Sequence, residues 1–125
     1  MKNKILPALA LLGCIGCAID PQAAAERRAN LMEKVLPDPA DRQGLHLVFP
    51  MESAGLYDTL LITHYTQEVS RAEVLRRVTN YCSGIGSPRL TGEAVLVREI
   101  SSSPVTIADG SQKPAFEGRY DCVAA

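Results

Sequence analysis

The sequence has few aromatic side chains: it contains no Trp, two Phe and four Tyr among 125 residues. Aromatic side chains bury large apolar areas, so a short chain with few of them builds a small core. A covalent cross-link then contributes a large share of the stability. The length predicts one small domain.

The chain also lacks an excess of positive charge and a long apolar run. It has 13 Lys and Arg against 14 Asp and Glu, which gives no electrostatic reason to expect nucleic acid as a partner. The uncharged stretch from Ile5 to Gly16 is shorter than the roughly 20 residues that span a bilayer, and Pro7 interrupts it. We therefore expect no permanent transmembrane helix.

Recognisable catalytic motifs are absent as well. The two histidines, His46 and His64, stand in no nucleophile, zinc or phosphate-binding pattern. Asp58 shares a strand face with His64, but six extended residues separate them by about 20 Å, too far for a catalytic dyad. We expect both histidines to lie on the surface or on a sheet face. The sequence predicts no catalytic, cofactor-binding or metal-binding residue, and therefore not an enzyme.

The N-terminus has the order of a cleaved signal peptide. Positively charged MKNK is followed by the apolar stretch and then by Cys17. The stretch LLGCIGC resembles the lipobox of bacterial lipoproteins, in which Leu, a small residue and Gly or Ala precede the cysteine that is acylated after cleavage. The resemblance implies a lipid anchor on Cys17 or, alternatively, on Cys14.

Counting cysteines favours Cys17 over Cys14. Lipidation of Cys17 removes Cys14 with the signal and leaves Cys82 and Cys122 as a pair, whereas lipidation of Cys14 leaves an odd thiol. Cys14 remains the alternative lipidation site, because it has the preferred Leu three residues before it. No Asp follows either cysteine, which in this family implies sorting to the outer membrane. A redox site at Cys14 and Cys17 would need a strand before the pair and a helix after it, and a zinc site would need two further ligands nearby. The sequence offers neither context.

The predicted organisation has three parts: a signal peptide (1–16), a lipid-anchored helix with a linker (17–44) and a globular α+β domain (45–125). Asp20-Pro21 is typical of a helix start, and apolar residues at helical spacing continue to Leu36, where prolines end the helix. The basic pair 27–28 is expected on its solvated face, with contact to anionic lipid headgroups as an alternative.

The domain is predicted to contain a small antiparallel sheet packed by one helix, with a β-α-β-β core that follows a first short strand. The expected strands are residues 45–49, 57–65, 93–100 and 116–122, whose β-branched and alternating patterns are typical of strands. The expected helix begins after Ser70, because Ser70 and Glu73 form a capping-box pattern flanked by apolar residues.

The same helix predicts which residues face the core. Its apolar stripe includes Cys82, while Arg71, Arg76 and Arg77 fall on the opposite side. Gly84 is expected to end the helix. In the last strand, alternation places Cys122 on the inward face. Two inward cysteines in an exported chain predict a Cys82–Cys122 disulfide.

This arrangement is similar to a loose set of small proteobacterial lipoproteins and periplasmic proteins that end in a Tyr/Phe-x-Cys-Val strand bridged to a helix cysteine. The set implies the disulfide and the α+β fold but no activity. We expect a non-catalytic binding or accessory module of the cell envelope, with a membrane anchor and an envelope protein or peptidoglycan as partner. The alternatives are a hydrolase or hydrolase inhibitor without a recognisable motif, or a module of a secretion, conjugation or phage system.

Overall fold

A computed structural model describes residues 20–125. Cys14, Cys17 and the predicted signal peptide lie outside the described residues. The helices in this part are α1 (Pro21–Val35), α2 (Pro39–Arg42) and α3 (Arg71–Ile85). The strands are β1 (Leu45–Ser53), β2 (Leu56–Tyr65), β3 (Leu90–Ser101), β4 (Val105–Thr106), β5 (Gln112–Lys113) and β6 (Ala115–Ala124).

Four antiparallel strands form the main sheet in the order β1-β2-β6-β3, and β4 and β5 form a separate two-stranded sheet. Because β6 is antiparallel to both β2 and β3, these two strands run in the same direction, with α3 as the crossover between them. The predicted α+β class is confirmed.

Two helices, rather than the one predicted, cover the main sheet. Helix α1 packs mainly on β1, and α3 packs mainly on β3. Met32 of α1 and Val74 and Val78 of α3 belong to one buried cluster, so both helices lie on the same face of the sheet. No helix among residues 20–125 covers the opposite face, where Phe49 and Val95 are about half exposed, at 48% and 47%.

Helix α3 begins as predicted, but its cap has only half of the expected hydrogen bonds. Ser70 Oγ accepts from the Glu73 backbone N–H at 3.1 Å. The Glu73 carboxylate does not reach back to Ser70, because it accepts from Arg76 and Arg77 instead. These hydrogen bonds lower the pKa of Glu73 to about 2. The start of α3 is thus held by one side-chain cap and by ion pairs.

The end of α3 differs from the prediction. Gly84 is helical, and the helix continues to Ile85. Gly86 follows in the left-handed conformation, with φ of 70°, which glycine adopts without the steric cost that a side chain would add. The helix-stop signal was correct in kind but was assigned to the wrong glycine of the GIG sequence.

The prediction that Arg77 lies on the solvated side of α3 is wrong. Its side chain is only 10% exposed. Nη1 donates to the backbone carbonyls of Asp41 at 3.1 Å and Gln43 at 2.6 Å. Arg77 thereby attaches the segment around α2, which was expected to be a linker, to the side of α3.

The structure contains the Cys82–Cys122 disulfide, which joins α3 to β6 across a sequence separation of 40 residues. Cys82 is 1% exposed and Cys122 is 8% exposed, so both face the core as the sequence predicts. The bond can form because β6 lies within the main sheet and Cys122 lies on the face that α3 covers. It ties the C-terminal strand to the middle of the domain.

Candidate functional site

The described residues form a cleft where α1, the start of β1, the end of β2 and the β4–β5 hairpin meet. Its volume is about 380 Å³, within the roughly 300–1,000 Å³ of small-molecule pockets. We call it the His46 cleft. Its polar lining is Arg28, His46, Tyr65, Asp109 and Lys113, and its apolar lining is Ala25, Met32, Leu45, Ile107 and Ala108.

His46 and Tyr65 form a hydrogen-bonded pair at the base of the cleft. His46 Nδ1 lies 2.9 Å from Tyr65 Oη, and the two rings meet edge to face at 5.6 Å. Burial, together with the positive charge of Arg28, lowers the pKa of His46 to about 4. Burial raises the pKa of Tyr65. Both side chains are therefore neutral at pH 7 and act as hydrogen-bonding groups.

Two cations line the cleft, and they have different partners. Arg28 Nε donates to the backbone carbonyl of His46 at 3.1 Å. Lys113 pairs with the carboxylate of Glu68, and its ammonium lies 4.7 Å from the centre of the Tyr65 ring. Arg28 is therefore partly buried rather than fully solvated as expected, because its guanidinium lies along the wall of the cleft.

Asp109 supplies a negative charge at the tip of the β4–β5 hairpin. Its Oδ1 accepts from Ser111 twice, from the backbone N–H at 2.9 Å and from Oγ at 2.6 Å. These hydrogen bonds lower the pKa of Asp109. The carboxylate thus shapes the hairpin turn and stays charged at the rim of the cleft.

His64 lies elsewhere, on the covered face of β2. It is 1% exposed, and burial together with the charge of Arg71 lowers its pKa. Its Nδ1 has no hydrogen-bond partner among the described residues, and neither has Asp58 Oδ1. The two side chains do not form a dyad, in agreement with the spacing of the sequence.

The structure brings Cys82 and Cys122 together as predicted, whereas sequence reasoning missed the cleft.

Within residues 20–125, no group of three or more His, Cys, Asp or Glu side chains is arranged to hold a metal ion. No helix in this part of the chain has both the length and the apolar character needed to cross a membrane.

The fold and the cleft of residues 20–125 define a disulfide-linked α+β domain whose helices cover one face of the main sheet. Comparison with known proteins adds nothing to this class, because no family model, no curated protein and no solved structure matches the chain.

The low pKa of His46 predicts a loss of stability in mild acid. The unfolded chain protonates this histidine near pH 6.5 and the folded chain only near pH 4, so the unfolded state binds more protons in between. We expect the free energy of unfolding to fall as the pH is lowered from 7 to 4. Urea unfolding at a series of pH values measures this slope.

The variant His46→Gln isolates the contribution of His46 from those of His64 and the carboxylates. It should show a shallower fall between pH 6.5 and 4 than the wild type does. A wild-type stability that stays constant over this range, or an unchanged slope in His46→Gln, would contradict the assignment.

Proposed function

We propose that the chain is a lipid-anchored protein of the bacterial cell envelope that acts by binding rather than by catalysis. In this proposal Cys17 carries the lipid, and the domain faces the periplasm from the outer membrane. Its partner is another envelope component, either a protein or peptidoglycan.

The Cys82–Cys122 disulfide is the observation that carries this proposal. Structural disulfides persist in oxidising compartments such as the periplasm and are rare in the cytosol. The same bond uses the two cysteines outside the N-terminal segment, which leaves Cys14 and Cys17 for processing and lipidation. The lipobox-like sequence supports the same location independently.

The His46 cleft supports binding as the mode of action. His46 and Tyr65 are neutral and bonded to each other, and Arg28 and Lys113 are cationic, so the polar lining is suited to hydrogen bonding and ion pairing. The hydrolase alternative needs a histidine at a concave surface beside a carboxylate and a serine. His64 does not meet this description, because it is 1% exposed and its Nδ1 has no hydrogen-bond partner in the described chain. His46 lies at the cleft but is bonded to Tyr65, while Asp109 is bonded to Ser111.

Labelling with radioactive palmitate in a proteobacterial host tests the anchor. We expect label in the wild type and in the matched control Cys14→Ala, and no label in Cys17→Ala. Separation of the two membranes on a density gradient should place the labelled protein in the outer membrane fraction. An unlabelled wild type would contradict the anchor, and loss of label only in Cys14→Ala would move the anchor to Cys14.

A further inference from the structure

Arg28 is a half-buried cation that forms no ion pair within the described residues. Its one hydrogen bond within residues 20–125, from Nε to the carbonyl of His46, fixes the guanidinium against the wall of the cleft. No carboxylate lies within ion-pair distance of it in residues 20–125. Its terminal N–H groups are therefore available to an acceptor that enters the cleft.

The other charged groups of the cleft are already engaged. Lys113 is paired with Glu68, and Asp109 Oδ1 is bonded to Ser111. Arg28 is consequently the strongest unsatisfied donor in the cleft. A guanidinium presents two parallel N–H groups that match a carboxylate or phosphate, and such charge-assisted pairs are stronger than neutral hydrogen bonds.

The rest of the lining is apolar. Met32 and Leu45 form the floor beside the core, and Ile107 comes from the hairpin on the other side. The neutral His46–Tyr65 pair adds ring surface without a charge. A ligand that fits this lining contains an oxyanion group attached to an apolar chain.

We propose that the His46 cleft binds a carboxylate or phosphate attached to an apolar chain, with Arg28 as its ionic contact. This inference rests on the proposed function as a binding module. The same chemistry occurs in free acids and in anionic lipid headgroups. A headgroup is within reach under the proposed anchor, because Pro21 is four residues after Cys17 and Arg28 is about 10 Å further along α1.

The test uses the full mature protein, labelled with ¹⁵N, in non-ionic detergent, and octanoate as the probe. Octanoate should shift the amide resonances of the cleft in a saturable manner, whereas octyltrimethylammonium should not. Arg28→Gln should weaken octanoate binding about tenfold or more. The matched control Arg27→Gln, which removes the adjacent exposed arginine, should change it less than twofold.

Asp109→Asn sharpens the test, because it removes the negative charge at the rim. It should strengthen octanoate binding, because it removes the repulsion between Asp109 and the carboxylate of the probe. The lipid source is tested with the protein in nanodiscs of phosphatidylcholine, with or without phosphatidylglycerol. Shifts of the cleft resonances on addition of phosphatidylglycerol identify a headgroup ligand, and shifts with octanoate alone identify a free acid.

The proposal is overturned if neither octanoate nor phosphatidylglycerol shifts the cleft resonances, if Arg27→Gln weakens binding as much as Arg28→Gln, or if Asp109→Asn weakens it. The spectrum of Arg28→Gln outside the cleft shows whether the variant is folded. A failure of this proposal leaves palmitate labelling at Cys17 intact, so the two proposals fail separately.

Discussion

Replacing both cysteines of the disulfide, in the variant Cys82→Ser/Cys122→Ser, should lower the free energy of unfolding by about 4 kcal/mol. The bond closes a loop with a sequence separation of 40 residues, and the loss of chain entropy in the unfolded state gives that value. For a domain of this size, it corresponds to a fall in Tm of roughly 15–30 °C. Thermal unfolding followed by circular dichroism measures the change.

Reduction of the wild-type protein with dithiothreitol is the matched condition for this variant. It should reproduce the lower Tm, while the same reagent should leave the Tm of the double variant unchanged. A fall of less than about 5 °C in both cases would show that the disulfide adds little to the stability of the fold.

The second large loss of stability is expected on replacing Arg77, whose side chain is 10% exposed. Arg77→Ala leaves the carbonyls of Asp41 and Gln43 without their donor and removes an ion pair with Glu73. Breaking a buried charged network of this kind costs about 3 kcal/mol. Urea unfolding should therefore show a lower midpoint, and the segment around α2 should exchange its amide hydrogens faster.

Arg76→Ala is the matched control, since Arg76 pairs with the same Glu73 but is 57% exposed. Exposed ion pairs contribute at most about 1 kcal/mol, because water solvates both charges. The two variants should thus differ by about 2 kcal/mol or more. Equal losses in both variants would show that the backbone contacts of Arg77 do not matter.

Local signals explain which helices could be predicted. Asp20 followed by Pro21 begins α1, and Ser70 caps α3, as the structure shows. Both signals act through atoms a few residues apart, so the sequence contains the information directly. The inward direction of Cys82 and Cys122 follows from periodicity, which is also local.

The β1–β2 hairpin was missed for two reasons. The first strand was predicted to end at residue 49, but β1 continues to Ser53, because it is an edge strand, where the missing backbone N–H of Pro50 is tolerated. The turn at Ala54-Gly55 places Ala54 at a positive φ of 51°. Alanine is an unusual residue for this conformation, so the usual hairpin signal is absent.

The His46 cleft could not be predicted because its parts are distant in sequence. Arg28 contacts the backbone of His46, which bonds to Tyr65, and the β4–β5 hairpin adds Asp109 and Lys113. Only the packing of α1 on β1 and the position of the hairpin bring these groups together. Arg28 shows the limit most clearly, since helical periodicity alone assigned it to a solvated face.

The proposed function requires that the chain is exported, lipidated at Cys17 and oxidised at Cys82 and Cys122. Intact mass spectrometry of the protein purified from membranes tests all three parts in one measurement. We expect the mass of residues 17–125 plus glycerol and acyl groups, with a gain of two hydrogens on reduction. An unmodified N-terminus, or a mass that reduction does not change, would contradict the claim.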